Sequence, residues 1–267
     1  DIPSSGICEE VIVYSPGIIR VVKYPSSLKE MPAKKSYSVI MQPEKCAADY
    51  SEKDGTATLS TANITVRVDE QSGCISFFSH QGEPLLKEKE AAGKDNCSVE
   101  EIQTGVNKGK YKVSQSYILD KNEAIFGLGQ RQCPVLNQRG EHVMIWSGNT
   151  NITIPYFTSE KGYGLYWDNA GKSFFDDSET ETSFRSEVAA MTDYYLMYQD
   201  GTQDGVVAQI RALSGQATMF PLWTMGHWQC RERYKSTDEL CDVIDKYREL
   251  HIPLDGIVQD WQYWGCD

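Results

Sequence analysis

Asp260 is the residue of this chain whose setting most needs a chemical explanation. It follows the apolar pair Ile257-Val258 and precedes an aromatic segment, in the sequence IPLDGIVQDWQYWG (252–265). A strand that is buried on both faces favours Ile and Val and disfavours an unpaired carboxylate, because desolvating a charge is costly. Two explanations remain open. Asp260 either accepts hydrogen bonds from a ligand, or it is a structural acid that caps a loop or pairs with an arginine.

Other residue types with catalytic or ligating chemistry lack the spacing that a site would need. The eight cysteines contain no C-x-x-C pair, so we predict free, buried thiols and no zinc or redox site. The four histidines lie far apart, without ligand spacing. Gly127-Leu-Gly129 is not predicted to bind a dinucleotide, because position 132 is Gln and no βαβ unit surrounds it. We therefore predict no metal site.

Composition and charge exclude several classes of partner. The chain of 267 residues has 26 Lys and Arg against 38 Asp and Glu, a net charge of -12, which disfavours nucleic acid as a partner. It contains no apolar run of 18 residues, so no membrane span is predicted. No signal peptide is visible. Residues 1–3 fit either the mature terminus of an exported protein, periplasmic or extracellular, or an arbitrary boundary in a cytoplasmic one, so the localisation stays open.

The elements that must position Asp260 fall into two parts, and the first part is rich in strands. Residues 11–25 place two β-branched runs around Pro16-Gly17, which predicts a hairpin. Residues 57–86 alternate apolar and polar side chains between turn residues. Many short strands of this kind predict an antiparallel β-sandwich. The Lys- and Glu-rich stretch 86–95 is predicted to be an exposed loop.

The pattern changes after residue 215. Residues 221–228 are predicted to form a short strand, and Ser236-x-x-Glu239 opens a helix over 236–250. Residues 255–261 (DGIVQDW) form a second, doubly apolar strand. This order predicts a βαβ unit with parallel strands. Because two parallel strands cannot bury both of their faces, the unit is expected to be the start of a larger sheet.

Four segments resemble the glycoside hydrolases of family 31, the family of α-glucosidases and α-xylosidases. They are FGLGQR (126–131), IPYFTSEKGYGLYWDN (154–169), the long segment from DYYLMYQDG to CRERY (193–234), and IPLDGIVQDWQYW (252–264). The third departs from the family pattern at IRALSG, where a Tyr-Arg-x-Leu-Thr-Gly-like turn is typical. The resemblance is most specific over the last 75 residues or so of the chain.

The resemblance implies the fold and the domain organisation. In this family a β-sandwich like that of galactose mutarotase precedes a (β/α)8 barrel. Residues 1–217 are then expected to be the sandwich, and residues 218–267 the first strand, helix and second strand of the barrel. A full barrel needs about 250 residues. The remaining barrel strands are therefore expected to be absent from this chain.

The resemblance also implies site residues. Both catalytic carboxylates of the family stand on later barrel strands, so no residue up to 267 is given a catalytic role. Asp260 matches the family's substrate-binding aspartate, which accepts hydrogen bonds from sugar hydroxyls. Trp261 stands where a smaller aliphatic residue is usual. Either Trp261 or Trp264 is expected to narrow the pocket or stack on a sugar ring, the alternative being a place in the barrel core.

Two further positions carry weaker implications. Glu232 falls where family members place an aromatic residue that faces the same sugar, so it is a candidate polar contact. A salt bridge from Glu232 to Arg231 or Arg233 is the alternative. The loop SGNTN (147–151) corresponds to a sandwich loop that reaches over the pocket and often carries an aspartate. Asn149 is the candidate in this sequence.

The function implied is that of a retaining, exo-acting α-glycoside hydrolase acting on an oligosaccharide with a terminal α-linked xylose or glucose. QDWQYWG favours an α-xylosidase over the DIDYM type of α-glucosidase. No cofactor is expected, because carboxylates alone perform this chemistry. The 267 residues alone are expected to be inactive without the rest of the barrel. The rival from another class is a non-catalytic sugar-binding or structural β-sandwich module, which has no use for the start of a barrel.

Overall fold

The computed structural model describes residues 6–90 and 97–261, and the chain divides into two compact units. The first unit is Asp1–Gln216 and the second is Ala217–Asp267.

The first unit is built almost entirely from antiparallel strands. Its described strands are β1 (Ile7–Ser15), β2 (Ile18–Pro25), β3 (Asp49–Lys53), β4 (Thr56–Ser60), β5 (Ile64–Asp69), β6 (Ile75–Ser79), β7 (Pro84–Glu88), β8 (Cys97–Glu101), β9 (Tyr111–Ile118), β10 (Ile125–Gln130), β11 (His142–Ile145), β12 (Ile152–Ser159), β13 (Tyr163–Trp167), β14 (Ser173–Asp177), β15 (Thr182–Ala189) and β16 (Thr192–Tyr198). One sheet has the order β1-β2-β16-β13-β12-β10. The other has the order β11-β14-β15-β9-β7-β6-β5-β4-β3, with β8 also paired to β9.

The two sheets pack face to face around one apolar core, which confirms the predicted sandwich. Both sheets contribute alternate residues to a single buried cluster, as period-two strands require. At its centre Phe184 stacks on Trp167, with ring centroids 5.7 Å apart, and on Phe157, with centroids 6.2 Å apart. Pro16-Gly17 turns β1 into β2, so the predicted hairpin is also confirmed.

A helix covers part of the outer face of the six-stranded sheet. Helix α1 (Gln203–Ser214) begins at Thr202, whose hydroxyl accepts the backbone N–H of Gly205. Its buried Leu213 packs in a second apolar cluster with Tyr195 and Met197 of β16. The helix thereby buries apolar side chains that the sheet would otherwise expose to water.

A β-bulge in β10 explains the Gly127-Leu-Gly129 sequence. All three residues have positive φ, and the register against β12 shifts between the two glycines. A Cβ on Gly129 would lie 2.2 Å from the carbonyl oxygen of Ile152, which only glycine avoids. The bulge turns Leu128 fully into the core. These glycines therefore serve the packing of two strands.

Charged groups are buried within the sandwich. The Lys23 ammonium lies 2.7 Å from Glu88 Oε2 and 2.8 Å from Glu9 Oε2. The Tyr194 hydroxyl donates to Glu88 Oε1 at 2.7 Å. The prediction of an exposed loop over 86–95 is wrong at its start, because residues 86–88 complete β7 and Glu88 is fully buried. The part of that stretch from 91 to 95 lies outside the described residues. The charge on Glu88 is tolerated because the ammonium and two hydrogen bonds compensate its desolvation.

The second unit is a βαβ arrangement. Strand β17 (Trp228–Arg231) and strand β18 (Gly256–Gln259) are parallel and are connected by helix α2 (Thr237–Glu249). The predicted N-cap is confirmed, since Ser236 Oγ accepts the backbone N–H of Glu239 at 3.1 Å. The Glu239 carboxylate reaches back one residue further, to the N–H of Lys235. The strand predicted over 221–228 is wrong. Leu222–Met225 forms a 3₁₀ turn after Pro221, whose fixed φ and carbonyl acceptor start a helical turn, and the strand begins only at Trp228.

The prediction of free, buried thiols is correct only in part. Cys74 is free and buried, and its thiol donates to the carbonyl of Glu88. Burial raises the pKa of this thiol to about 12. Cys230 and Cys241 are free but exposed, so the prediction that the thiols are buried is wrong for these two. Both lie on surface positions of the second unit, which has a small core of its own. Three more free thiols, those of Cys8, Cys46 and Cys133, are only half-buried.

Candidate functional site

The carboxyl ends of β17 and β18 meet at one edge of the second unit and bring two candidate residues together. The two strands are in parallel register, with Arg231 opposite Gln259. The next residue of each strand, Glu232 or Asp260, therefore leaves the sheet at the same edge. Neighbouring strands lie about 4.8 Å apart, so the two acids follow neighbouring strand ends, each one residue beyond the ladder. Carboxylate oxygens there can accept hydrogen bonds from hydroxyl groups of a ligand.

Asp260 is half-buried at the end of β18. Its Oδ1 accepts the backbone N–H of Trp261 at 2.8 Å. This local bond is the kind of contact expected if Asp260 is a structural acid that caps a loop. It engages one carboxylate oxygen, so it is also compatible with a second contact through Oδ2.

Trp261 presents a large aromatic surface beside this acid. The side chain is 49% exposed in the second unit. An indole ring at this position can stack on the apolar face of a sugar. Trp264, the other aromatic residue predicted to shape the pocket, lies outside the described residues.

Glu232 is exposed on the loop that follows β17. The salt bridge proposed for it with Arg231 is replaced by another pair, because Arg231 Nη1 lies 3.2 Å from Glu239 Oε1. The Arg231 guanidinium also lies 5.6 Å from the centre of the Tyr234 ring. Helix α2 therefore engages Arg231, and a salt bridge from Glu232 to Arg233 stays a prediction.

A group of polar side chains behind this edge was missed in the sequence. Gln229 Nε2 donates to the hydroxyl of Tyr234 at 3.2 Å, and Gln229 Oε1 accepts the hydroxyl of Tyr247 at 2.6 Å. Gln259 Nε2 donates to the carbonyl oxygen of Tyr234 at 3.0 Å. The available signal was a glutamine in each short strand, the second residue of β17 and the last of β18, where an apolar residue is usual. Such an amide needs a partner when it is partly buried.

Asn149 belongs to the first unit, whereas the other three candidates belong to the second. It is exposed on the loop between β11 and β12, where Gly148 and Asn151 form an isolated antiparallel bridge. Thr150 in this loop has a positive φ of 71°. The bridge and the tight turn fix a compact loop that presents the Asn149 amide to solvent.

The described residues offer no site for a metal. Within residues 6–90 and 97–261, no group of three or more His, Cys, Asp or Glu side chains could hold a metal ion. Among the same residues, no helix has the length and apolarity needed to cross a membrane.

Two family models match this chain and define its class. Residues 10–176 match the glycosyl hydrolase 31 N-terminal galactose mutarotase-like domain. Residues 217–266 match the glycosyl hydrolases family 31 TIM-barrel domain. The chain belongs to glycoside hydrolase family 31, and it contains the β-sandwich with a short start of the barrel.

Curated relatives and solved structures agree with this membership. An α-xylosidase of Saccharolobus solfataricus is 33% identical over 265 residues, which are 96% of this chain and 35% of that protein. Alpha-glucosidase 2 of Bacillus thermoamyloliquefaciens is 26% identical over 94% of this chain and 32% of its own length. A family 31 α-xylosidase from Xanthomonas citri superposes with a TM-score of 0.85 at 21% identity, over 98% of this chain and 44% of that one. The chain thus spans about a third of the length of these curated relatives.

Proposed function

We propose that this chain is the N-terminal portion of a retaining, exo-acting α-glycoside hydrolase that releases a terminal α-linked xylose from an oligosaccharide. The observation that carries the proposal is the 33% identity to an α-xylosidase over 96% of this chain. In this proposal residues 1–217 are the sandwich domain and residues 218–267 begin the catalytic barrel.

The proposed chemistry needs two carboxyl groups about 5 Å apart, one as nucleophile and one as general acid and base. Neither is assigned within residues 1–267. Asp260 has the role of orienting the sugar by accepting hydrogen bonds from its hydroxyls. Its place at the carboxyl end of β18 supports this role, because barrel enzymes bind substrate at that face. Trp261 supplies a stacking surface, Glu232 a second polar contact, and Asn149 a contact from the sandwich loop.

An α-glucosidase of the same family is the second candidate. It is supported by the relative from Bacillus thermoamyloliquefaciens, which is 26% identical over nearly the whole chain. A xylose residue lacks the exocyclic hydroxymethyl group of glucose, so a large side chain near that group favours xylose. The exposed Trp261 beside Asp260 is such a side chain and supports the α-xylosidase.

The test is hydrolysis of aryl α-xyloside and aryl α-glucoside by the complete polypeptide expressed from its coding sequence. We expect a higher kcat/KM on the xyloside, and release of the α-anomer, observed by NMR before mutarotation. A higher kcat/KM on the glucoside would establish the second candidate. Turnover by the purified 267-residue chain would contradict the assignment of both catalytic carboxylates to later sequence.

A further inference from the structure

The loop that carries Glu232 is anchored to the strand that carries Asp260. Residues 232–235 connect the end of β17 to the N-cap of α2 at Ser236 and lie outside the β17–β18 ladder. Tyr234, in the middle of this loop, is buried. Glu239 Oε2 accepts the backbone N–H of Lys235 at 2.7 Å and fixes the helix side of the loop. The contacts of Tyr234 fix the side nearer to Glu232.

Two strands hold Tyr234, each through a glutamine. Gln229 of β17 donates to the tyrosine hydroxyl at 3.2 Å. Gln259 of β18 donates to the tyrosine backbone carbonyl at 3.0 Å. The second bond is the more direct constraint on the loop, because its acceptor belongs to the main chain and it does not depend on the rotamer of the Tyr234 side chain.

The sequence position of Gln259 makes this bond relevant to the site. Gln259 immediately precedes Asp260, and it is paired in register with Arg231, which immediately precedes Glu232. One side chain at the end of β18 therefore links the backbone beside Asp260 to the loop beside Glu232. Reacting and binding groups must be held within a fraction of an ångström, so a tie between two contact residues affects their joint geometry.

We propose that Gln259 is a positioning residue, which sets the distance between Glu232 and Asp260 by clamping the carbonyl of Tyr234 to the end of β18. The inference rests on the proposed function, because it assigns the clamp to the sugar-binding edge. Gln259 itself is not a contact to the sugar in this account. Its effect passes through the loop.

The structure offers a matched control in Arg248. Arg248 Nη2 donates to the carbonyl oxygen of Leu254 at 3.1 Å, which is also a bond from a side chain to a backbone carbonyl in the same βαβ unit. The acceptor residue, Leu254, precedes the start of β18, so this bond is at the opposite end of the strand from Asp260. Gln259→Met and Arg248→Met each remove one such bond and keep an unbranched side chain.

The first experiment measures kcat/KM, KM and melting temperature of both variants in the complete polypeptide. We expect Gln259→Met to lower kcat/KM by about tenfold, mainly through KM, since misplaced binding groups are that costly. Arg248→Met should leave kcat/KM unchanged with a similar change in melting temperature. Equal kinetics in the two variants would overturn the proposal.

A double-mutant cycle with Glu232→Ala tests the route of the effect. If Gln259 acts through the loop, Gln259→Met should change kcat/KM by no more than roughly twofold once Glu232 is already lost, because coupled residues are non-additive. Full additivity of the two changes would overturn the proposal.

Hydrogen–deuterium exchange tests the clamp without any activity. In Gln259→Met the amides of residues 232–236 should exchange faster than in the wild type, and in Arg248→Met they should not. Unchanged exchange in Gln259→Met would refute the clamp whatever the enzyme's substrate is. Absence of α-glycoside hydrolysis by the wild type, with faster loop exchange in Gln259→Met, would refute the proposed function and keep the clamp.

Discussion

Lys23 lies between two carboxylates in the interior of the first unit. Glu9 and Glu88 both approach its ammonium within 2.8 Å, so one positive charge faces two acids. Glu88 receives further hydrogen bonds from Tyr194 and from the backbone of Ile75. Burial raises the pKa of Glu9 from 4.5 to about 7, Lys23 opposes the rise and Glu88 adds to it.

The first prediction concerns the pH dependence of stability. Because Glu9 binds its proton more tightly in the folded state, its contribution to the free energy of unfolding is full below about pH 4.5 and is lost as pH rises through about 7. A shift of this size is worth at most ~3 kcal/mol. Glu9→Gln, a neutral isostere, should unfold at a higher temperature than the wild type at pH 8 and at a similar temperature at pH 5.

The control for Glu9→Gln is Glu70→Gln, since Glu70 is exposed on the turn after β5. This control should leave the pH profile of the melting temperature unchanged. If the melting temperatures of wild type and Glu9→Gln changed in parallel between pH 5 and 8, the raised pKa of Glu9 would be contradicted.

The second prediction concerns Asp260. Asp260→Asn keeps an oxygen that can accept the N–H of Trp261, so the melting temperature should change little. It removes the charge that strengthens a hydrogen bond to a sugar hydroxyl, which is worth about 1.5–3 kcal/mol. We therefore expect kcat/KM of the complete polypeptide to fall roughly ten- to a hundredfold. Near-normal kinetics with a lowered melting temperature would instead make Asp260 a structural acid.

At the scale of elements, the bulge of β10 fixes how one strand contributes to the core. Leu128 points inward only because Gly127 and Gly129 on either side of it adopt positive φ and approach β12 closely. The strand's register on β12 therefore depends on two positions without a Cβ.

The third prediction follows from this bulge. Gly129→Ala should destabilise the first unit by roughly 2–4 kcal/mol, since its Cβ would overlap a backbone carbonyl and its φ is strained. Gly55→Ala is the matched control, because Gly55 also has a positive φ but has open space around it. It should cost only about 1 kcal/mol. Chemical denaturation of both variants measures the difference, and equal losses would show that backbone conformation alone sets the cost.

At the scale of the whole molecule, the two units differ in how much apolar surface they bury. The first unit encloses a continuous core between its sheets. The second unit exposes large apolar side chains, among them Met219, Leu222 and Met225, each more than 70% exposed. A two-stranded parallel sheet with one helix cannot cover these residues by itself.

The fourth prediction is that limited proteolysis of the purified 267-residue chain separates the units. Cleavage should begin between residues 217 and 227, where exposed apolar side chains and a single short 3₁₀ turn leave the backbone open to a protease. Residues 6–216 should persist as a resistant core, identified by mass spectrometry. Equal resistance of both units would contradict the difference in packing.

The elements that could be predicted from the sequence are those whose patterns span only a few residues. Period-two alternation and turn residues predicted the sandwich strands, and the Ser236–Glu239 capping box predicted the start of α2. The order of strand, helix and strand predicted that Asp260 follows a parallel strand. These signals depend on neighbours within a few residues, so they can be read without the fold. One local signal that failed was the apolar run 221–228, whose initial proline starts a 3₁₀ turn.

Contacts between residues far apart in the sequence became visible only in the tertiary structure. Glu88 looked like part of a solvated charged loop, yet it lies beside Lys23 and Tyr194, which are 65 and 106 residues away. Gln259 looked like one polar residue in an apolar strand, yet it bonds the carbonyl of Tyr234, 25 residues earlier. Burial and pairing of a polar group depend on which strands become neighbours. Strand pairing is a long-range outcome of packing two sheets or two parallel strands, and no short stretch of sequence contains it.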